Sequence, residues 1–140
     1  MMRQARLMSV AVPLCPCGSG GTYALCCRRF HDTAPVPTAE RLMRARYSAY
    51  VLCDTAYLLA TWHPTTRPAR LDTEVDARSI QWLGLEIRRH AETPDGAIVE
   101  FIARYRHRGR AVRLHEVSRF VREAGAWWYL DGSFPKAKKT

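Results

Sequence analysis

The segment CPCGSGGTYALCC, residues 15 to 27, gathers four of the chain's five cysteines within thirteen positions. Cys15 and Cys17 flank one residue and Cys26 and Cys27 are adjacent, so two thiol pairs lie at the ends of a glycine-rich turn. A disulfide framework is disfavoured by the odd cysteine count, and bridging two adjacent cysteines closes a strained ring. A metal ion accommodates the pattern better. Zn²⁺ takes four ligands tetrahedrally, and thiolate is among its preferred donors. Four protein ligands leave no open position for water or substrate, so such a site is structural, and its occupation folds a segment too short to bury a core of its own. Redox chemistry and a disulfide across the turn stay open as alternatives for these thiols. Gly18, Ser19, Gly20 and Gly21 can turn backbone N–H groups toward the sulfurs, and Arg28 and Arg29 put positive charge directly after the last thiol. His31, four residues further on, is a candidate replacement ligand or else a solvated or capping histidine.

Lysine and arginine total 22 against 13 acidic residues, a formal net charge of +9 over 140 residues. That balance favours contact with something anionic, such as RNA, a ribosome or an acidic protein. No stretch reaches the ~18 apolar residues of a membrane span. The opening MMRQARLMSVAVPLC imitates a secretory signal only in outline, since its apolar run is short, holds Pro13 and lacks a small-residue cleavage site. We read it as a lead-in strand of a cytoplasmic protein, whose thiols stay reduced.

Beyond HDTAPVP the periodicity is helical. Thr38 can cap a helix in which Leu42, Met43, Tyr47, Tyr50 and Val51 share a face. Asp54 opens a second, short helix through Tyr57, Leu58 and Leu59, which stops at Trp62-His63-Pro64 because the residue before proline resists helix. From Ile80 the period becomes two. Gln81–Arg89 reads as a strand with room for a bulge at Gly84, followed by a turn at Thr93-Pro94-Asp95-Gly96. Ile98–His107 places Val99, Phe101, Ala103 and Tyr105 on one face. Past Arg108-Gly109, the next strand aligns Val112, Leu114, Glu116, Ser118 and Phe120. Ala124-Gly125 turns into a last strand, Trp127–Leu130, ended by Asp131-Gly132. Helices followed by a meander of about four strands make an α+β plan, a cone of helices packed on a curved antiparallel sheet with a pocket between them. The expected organisation is a lead-in and zinc knuckle over residues 1–31 and an α+β domain over 32–140, with a short basic tail, KAKK.

These strings carry a resemblance. C-P-C-G-S-G-x-x-Y-x-x-C-C resembles the SEC-C motif, the small zinc module at the C-terminus of the preprotein translocase ATPase SecA. The lysines that usually follow G-S-G there are replaced here by Gly21, Thr22 and Ala24. With TAERLMRARYSAYVLCDTAYLLATWHPTTRP, QWLGLEI and HEVSRFVREAGAWWYLDG, the chain from about residue 13 to 135 resembles the YchJ-like proteins, in which a SEC-C motif precedes a domain of the nuclear transport factor 2-like fold. The resemblance implies that Cys15, Cys17, Cys26 and Cys27 are the zinc ligands. It brings no biochemical activity with it. Some members carry a second SEC-C motif at the C-terminus, which this sequence lacks.

Several side chains are candidates for chemistry. His63 sits where helices hand over to sheet and can serve as a general base or ligand-orienting donor, or simply satisfy a backbone group. Glu116 lies on an apolar-leaning strand face and needs a cation, for which Arg44, Arg46 or His63 would serve. An acid–base pair of His63 and Glu116 would suit an isomerase or dehydratase; the blander alternative is an Arg–Glu pair fixing helix to sheet. Trp82, Trp127, Trp128 and Tyr129 can line a cavity or the core. Trp127 and Trp128 are consecutive, so only one of them faces inward. Arg104, Arg106, Arg108, Arg110 and Arg113 cluster around one hairpin as an anion-contacting patch or a solvated sheet surface. Cys53 reads as a small buried hydrophobe.

Three functional readings follow. The leading one is a non-enzymatic zinc protein whose knuckle docks on a protein or ribosomal partner. The second is a small-molecule-binding or proton-transfer protein that uses the cone pocket. The third is non-specific RNA binding through the arginine hairpin. A homodimer across the open sheet face is an expectation by analogy with the fold.

Overall fold

The computed structural model describes residues 13–71 and 79–135. The opening segment through Val12, the KAKK tail and residues 72–78 lie outside them. A 3₁₀ turn at Tyr23–Leu25 leads into α1 (Cys27–His31), followed by α2 (Ala39–Val51) and α3 (Thr55–Ala60). Four strands complete the chain: β1 (Ile80–Glu92), β2 (Gly96–His107), β3 (Arg110–Glu123) and β4 (Ala126–Ser133). They pair antiparallel in sequence order, the meander expected of strands joined by short turns.

Helix starts are set by the expected caps. The Thr38 side chain accepts from the Arg41 N–H at 3.1 Å and the Asp54 carboxylate from the Tyr57 N–H at 3.1 Å. A further group was not foreseen. The Glu92 carboxylate, from the end of β1, accepts the Ala39 N–H at 2.9 Å. It brings negative charge to the positive end of α2 and pins the helix to the sheet.

Two hairpins close through two-residue turns in which both residues have positive φ: Arg108 (52°) with Gly109 (82°), and Ala124 (53°) with Gly125 (77°). That handedness matches the right-handed twist of the flanking strands. Register shifts fall at Trp82/Gly84, Ile87/Arg89 and Arg119/Phe120. Each adds local bend and twist, so the sheet curves around α2.

Strand lengths correct the sequence expectation. β1 runs from Ile80 to Glu92, longer than Gln81–Arg89, and β4 runs through Asp131 and Gly132 to Ser133. Asp131 stays in the ladder because it lies opposite Arg119 and accepts from that guanidinium's Nε and Nη2, at 2.7 and 2.6 Å.

The concave face carries Val99, Phe101, Ala103, Phe120 and Trp127, all buried against Leu42, Met43 and Tyr47 of α2. Yet α2 is buried on more than the one stripe its periodicity announces. Ala45, Ser48 and Ala49 are also fully enclosed, and the cysteine knuckle packs against this part of the helix through Cys15 on Ser48 and His31 on the Ala45 carbonyl. Small residues there allow the close approach. Along the free edge of β4, Thr61 and His63 pair with Tyr129, at 2.9 and 2.7 Å, and so cover part of an otherwise open strand. Among the described residues no helix is long and apolar enough to cross a membrane.

Candidate functional site

The knuckle begins as a loop closed by backbone hydrogen bonds, from Cys15 N–H to Gly21 C=O at 2.9 Å and from Gly18 N–H to Cys15 C=O at 3.2 Å. Gly18 and Gly20 have φ of 81° and 89°, the left-handed region that glycine enters at no steric cost. The loop sets Cys15 and Cys17 opposite Cys26 and Cys27, which precede and open α1. All four side chains are buried, and their sulfurs lie within 4.8 Å of one another. The Cys17–Cys26 separation is 3.6 Å and that of Cys26–Cys27 is 4.0 Å. A tetrahedron with metal–sulfur bonds of about 2.3 Å has sulfurs about 3.8 Å apart. The donor set therefore fits one thiophilic ion.

Without a cation these thiols compete for one charge. Hydrogen bonding from Cys27 draws Cys17 down to about 4, and the same contact pushes Cys27 up. Burial raises Cys26. Four thiolates so close together need positive charge between them.

The groups around the sulfurs differ in part from those expected. The Ser19 backbone N–H and hydroxyl both lower Cys17, as the glycine-rich turn implied, and the Ser19 hydroxyl lies 3.2 Å from Cys26 Sγ. Arg28 turns away to the exposed Asp32, and Arg29 donates to the Cys26 carbonyl at 3.4 Å. The guanidinium that steadies the other half of the knuckle is Arg44 of α2, donating to the Cys17 carbonyl at 2.9 Å and to Glu40 at 2.6 Å. Ser48, also on α2, lies 3.5 Å from Cys15 Sγ.

His31 is half-buried and lies outside the cluster of thiols. Its Nε2 meets the Ala45 carbonyl at 2.8 Å, which fixes the proton there. Its Nδ1 then accepts the Tyr23 hydroxyl at 2.7 Å. This relay ties the tyrosine of the cysteine-rich string to the middle of α2.

Between α2 and the concave face lies a cavity of about 280 Å³. Its walls are largely aromatic: Tyr47, Tyr50, Trp82, Phe101, Tyr105 and Tyr129. Trp82 is the hub, with ring centroids 5.4 Å from Tyr47, 6.3 Å from Tyr50 and 5.3 Å from Tyr105. Two charged side chains also line it, Glu116 at 8% exposure and Arg46 at 3%. Glu116 Oε2 accepts the Ser118 hydroxyl at 2.7 Å and the Tyr129 hydroxyl at 3.1 Å. A Cβ on Gly132 would overlap this carboxylate, so a glycine inside β4 makes its seat.

The expected Arg–Glu pair does not form. Arg46 Nη1 donates instead to Leu58 C=O and Thr61 Oγ1, each at 2.8 Å. Its guanidinium lies beside the edge-to-face pair of Trp62 and Tyr129, 4.9 and 4.3 Å from their ring centroids. Burial pushes its pKa down.

His63 and Glu116 are not brought together. The cavity is lined by Glu116 without His63, which lies on the far side of β4. There His63 Nδ1 accepts the Thr65 N–H at 3.2 Å and lies 2.7 Å from Thr65 Oγ1, while Nε2 reaches Glu123 at 3.1 Å. Satisfying a backbone group beside Pro64 is the role this geometry describes. Trp127 is the core-facing member of its pair, 5% exposed; half-buried Trp128 stands edge-on to His63 at 6.2 Å. Cys53 is half-buried, at φ 59° in the turn after α2.

Arg104, Arg106, Arg108, Arg110 and Arg113 are all exposed. Arg104 and Arg113 are direct cross-strand partners on the convex face, and Arg104 also pairs with Glu86 at 3.1 Å. Among the described residues the other four have no carboxylate partner.

A cysteine knuckle clamped to the central helix of an α+β cone defines the class: a metal-binding motif joined to a nuclear transport factor 2-like domain. Comparison with known proteins agrees. The model of the YchJ middle NTF2-like domain matches residues 38–132, and that of the SEC-C motif matches residues 14–29. A UPF0225 protein of Ralstonia nicotianae is 55% identical over 129 residues, covering 84% of this chain and 89% of its own. One from Methylibium petroleiphilum is 57% identical over 120 residues, covering 84% and 86%. The solution structure of a SEC-C motif-containing protein from Rhodopseudomonas palustris superposes with a TM-score of 0.78 at 35% identity, over 87% of this chain and 98% of that one. A crystal structure of a SEC-C motif-containing protein from Psychrobacter arcticus gives 0.73 at 29% identity, over 95% and 88%. The chain belongs to the YchJ-like family, the UPF0225 proteins.

Proposed function

We propose that this protein binds a small ligand in the cone pocket and that a structural Zn²⁺, held by Cys15, Cys17, Cys26 and Cys27, sets the helix that roofs it. The observation that carries the reading is Glu116. A carboxylate 8% exposed in an aromatic wall is costly to keep, and among the described residues its Oε1 has no donor. A buried acceptor left open inside a cavity is a place for a ligand to bond. The cavity lies near the small end of ligand-pocket volumes, about 300–1,000 Å³. Zinc is supported by the sulfur spacing and by a set of four thiols, the donor number of a closed tetrahedral site.

NMR titration of the zinc-loaded chain with a broad set of small metabolites tests the pocket. Hits should move resonances of Tyr50, Trp82 and Tyr105; a set that leaves all three still would end this reading. Elemental analysis tests the metal: one zinc per chain is expected, and none after Cys17→Ser.

A second reading has the knuckle dock on a protein or ribosomal partner. It is favoured by Leu14 and Leu25, 67% and 75% exposed on either side of Thr22, with exposed Arg28 and Arg29 close in sequence. Under it, replacing both leucines by serine abolishes co-sedimentation with ribosomes at low salt while zinc content is unchanged. If no such binding exists to lose, the docking role falls.

A further inference from the structure

Inside the pocket the two buried charges are compensated unequally, and the difference points to a ligand class. Arg46 has its Nη1 taken by two acceptors on the α3 side and its guanidinium carbon 4.9 and 4.3 Å from the neighbouring ring centroids of Trp62 and Tyr129. Those contacts offset its charge where it stands, at the cavity wall. Glu116 receives two hydroxyl donors on Oε2 and, among the described residues, nothing on Oε1 and no charged donor within ion-pairing distance. Neutral donors offset only part of the cost of burying a carboxylate, and a charged donor offsets more. The same cavity is walled by Tyr50, Trp82 and Tyr105. Aromatic faces attract cations and gain nothing from anions.

We propose that the pocket takes an organic cation, an ammonium group on a small apolar body, with the nitrogen at Glu116 Oε1 and the body against the aromatic wall around Trp82. The inference rests on the pocket reading above and adds to it the sign of the ligand's charge. An anionic ligand would meet the Glu116 carboxylate, whose seat the sequence preserves with a glycine in mid-strand. A neutral alcohol would satisfy Oε1 but forgo the attraction of the rings.

The test compares three probes that share one body and differ in charge: benzylammonium, benzyl alcohol and benzoate, titrated into the full zinc-loaded chain at pH 7 with the Trp82 indole resonance as readout. Benzylammonium is expected to bind at least about tenfold more tightly than benzyl alcohol, and benzoate to leave the resonance still. Glu116→Gln keeps the side chain's volume and an acceptor for Ser118 and Tyr129, and should remove that preference. Should Glu116→Gln fail to fold, Trp82→Leu serves in its place and should weaken benzylammonium more than the alcohol. Equal binding of alcohol and ammonium, or tighter binding of benzoate, overturns the cation inference and leaves the pocket reading standing. Silence from all three probes overturns the inference too; the pocket reading falls with it only if the broad metabolite set is also silent.

Discussion

At the scale of single residues, Gly132 and Glu116 form a lock whose two halves can be tested together. A Cβ at position 132 would overlap the carboxylate, so Gly132→Ala forces either the strand or Glu116 to move. Overpacking of this kind costs about 1–3 kcal/mol. In denaturant unfolding Gly132→Ala should destabilise by that amount, and the double variant with Glu116→Ala should recover most of it; an additive pair would show that the overlap is relieved elsewhere. Tyr23→Phe is a smaller probe. It removes the hydroxyl donor from His31 Nδ1, costs about 1 kcal/mol, and should leave zinc content untouched. These positions also mark what can be read from the string alone. Ser118 was legible as a neighbour of Glu116, because two residues along a strand return to the same face. Arg46 was half legible. It stands four residues after Leu42 and four before Tyr50, on the apolar stripe of α2, and a charge there announces a buried partner without naming it. The seat at Gly132 was not legible, because it depends on a cross-strand approach between β3 and β4. His63 stayed open between two roles for a related reason: its position after α3 is local, but which side of β4 it reaches depends on its pairing with Tyr129.

At the scale of elements, α2 joins the four-cysteine knuckle to the pocket. One side of it touches the knuckle through Arg44, Ala45 and Ser48, and the other lines the cavity through Met43, Arg46, Tyr47 and Tyr50. Zinc is therefore expected to stabilise more than its own loop. Removing the metal with a chelator should cost at least about 3 kcal/mol, or roughly 10 °C in Tm. Hydrogen exchange should quicken at Ala45–Ala49 along with residues 15–31. Exchange that changed only within the knuckle, with α2 as protected as before, would mean that the motif is an independent appendage and that the pocket does not depend on it. The caps, the turns and the alternating strand faces could all be foreseen, since they follow from contacts within a few residues. The docking of knuckle on helix could not. Ala45, Ser48 and Ala49 read as the unremarkable side of an amphipathic helix, and the contacts from Cys15 to Ser48 and from His31 to the Ala45 carbonyl come from an earlier segment of the chain. The Glu92 contact to the start of α2 is of the same kind, joining elements whose separation in sequence hides their contact in space.

For the whole molecule, charge and shape divide between the two faces of the sheet. The concave face is largely apolar, with Glu116 and Ser118 set among aromatic side chains, and lines the cavity. The convex face pairs several of its guanidinium groups with carboxylates, Arg89 with Glu100, Arg104 with Glu86 and Arg119 with Asp131. Toward the β2–β3 turn that compensation ends. Arg106, Arg108, Arg110 and Arg113 have no carboxylate partner among the described residues, and Arg113 lies directly across from Arg104, a like-charge pairing that works against the sheet. An anion laid along this end would relieve that repulsion, and the net charge of +9 draws anions in from a distance. We therefore expect weak, sequence-independent binding of single-stranded RNA. With four guanidinium groups engaged, log K should fall with log salt concentration at a slope of about −3. Replacing Arg106 and Arg113 by glutamine should reduce the slope by about one half. Neither replacement touches the pocket, so benzylammonium binding should be unchanged in that variant. A slope near zero in the original chain, or one indifferent to both replacements, would leave the hairpin as a solvated rim that keeps the sheet from stacking on its neighbours.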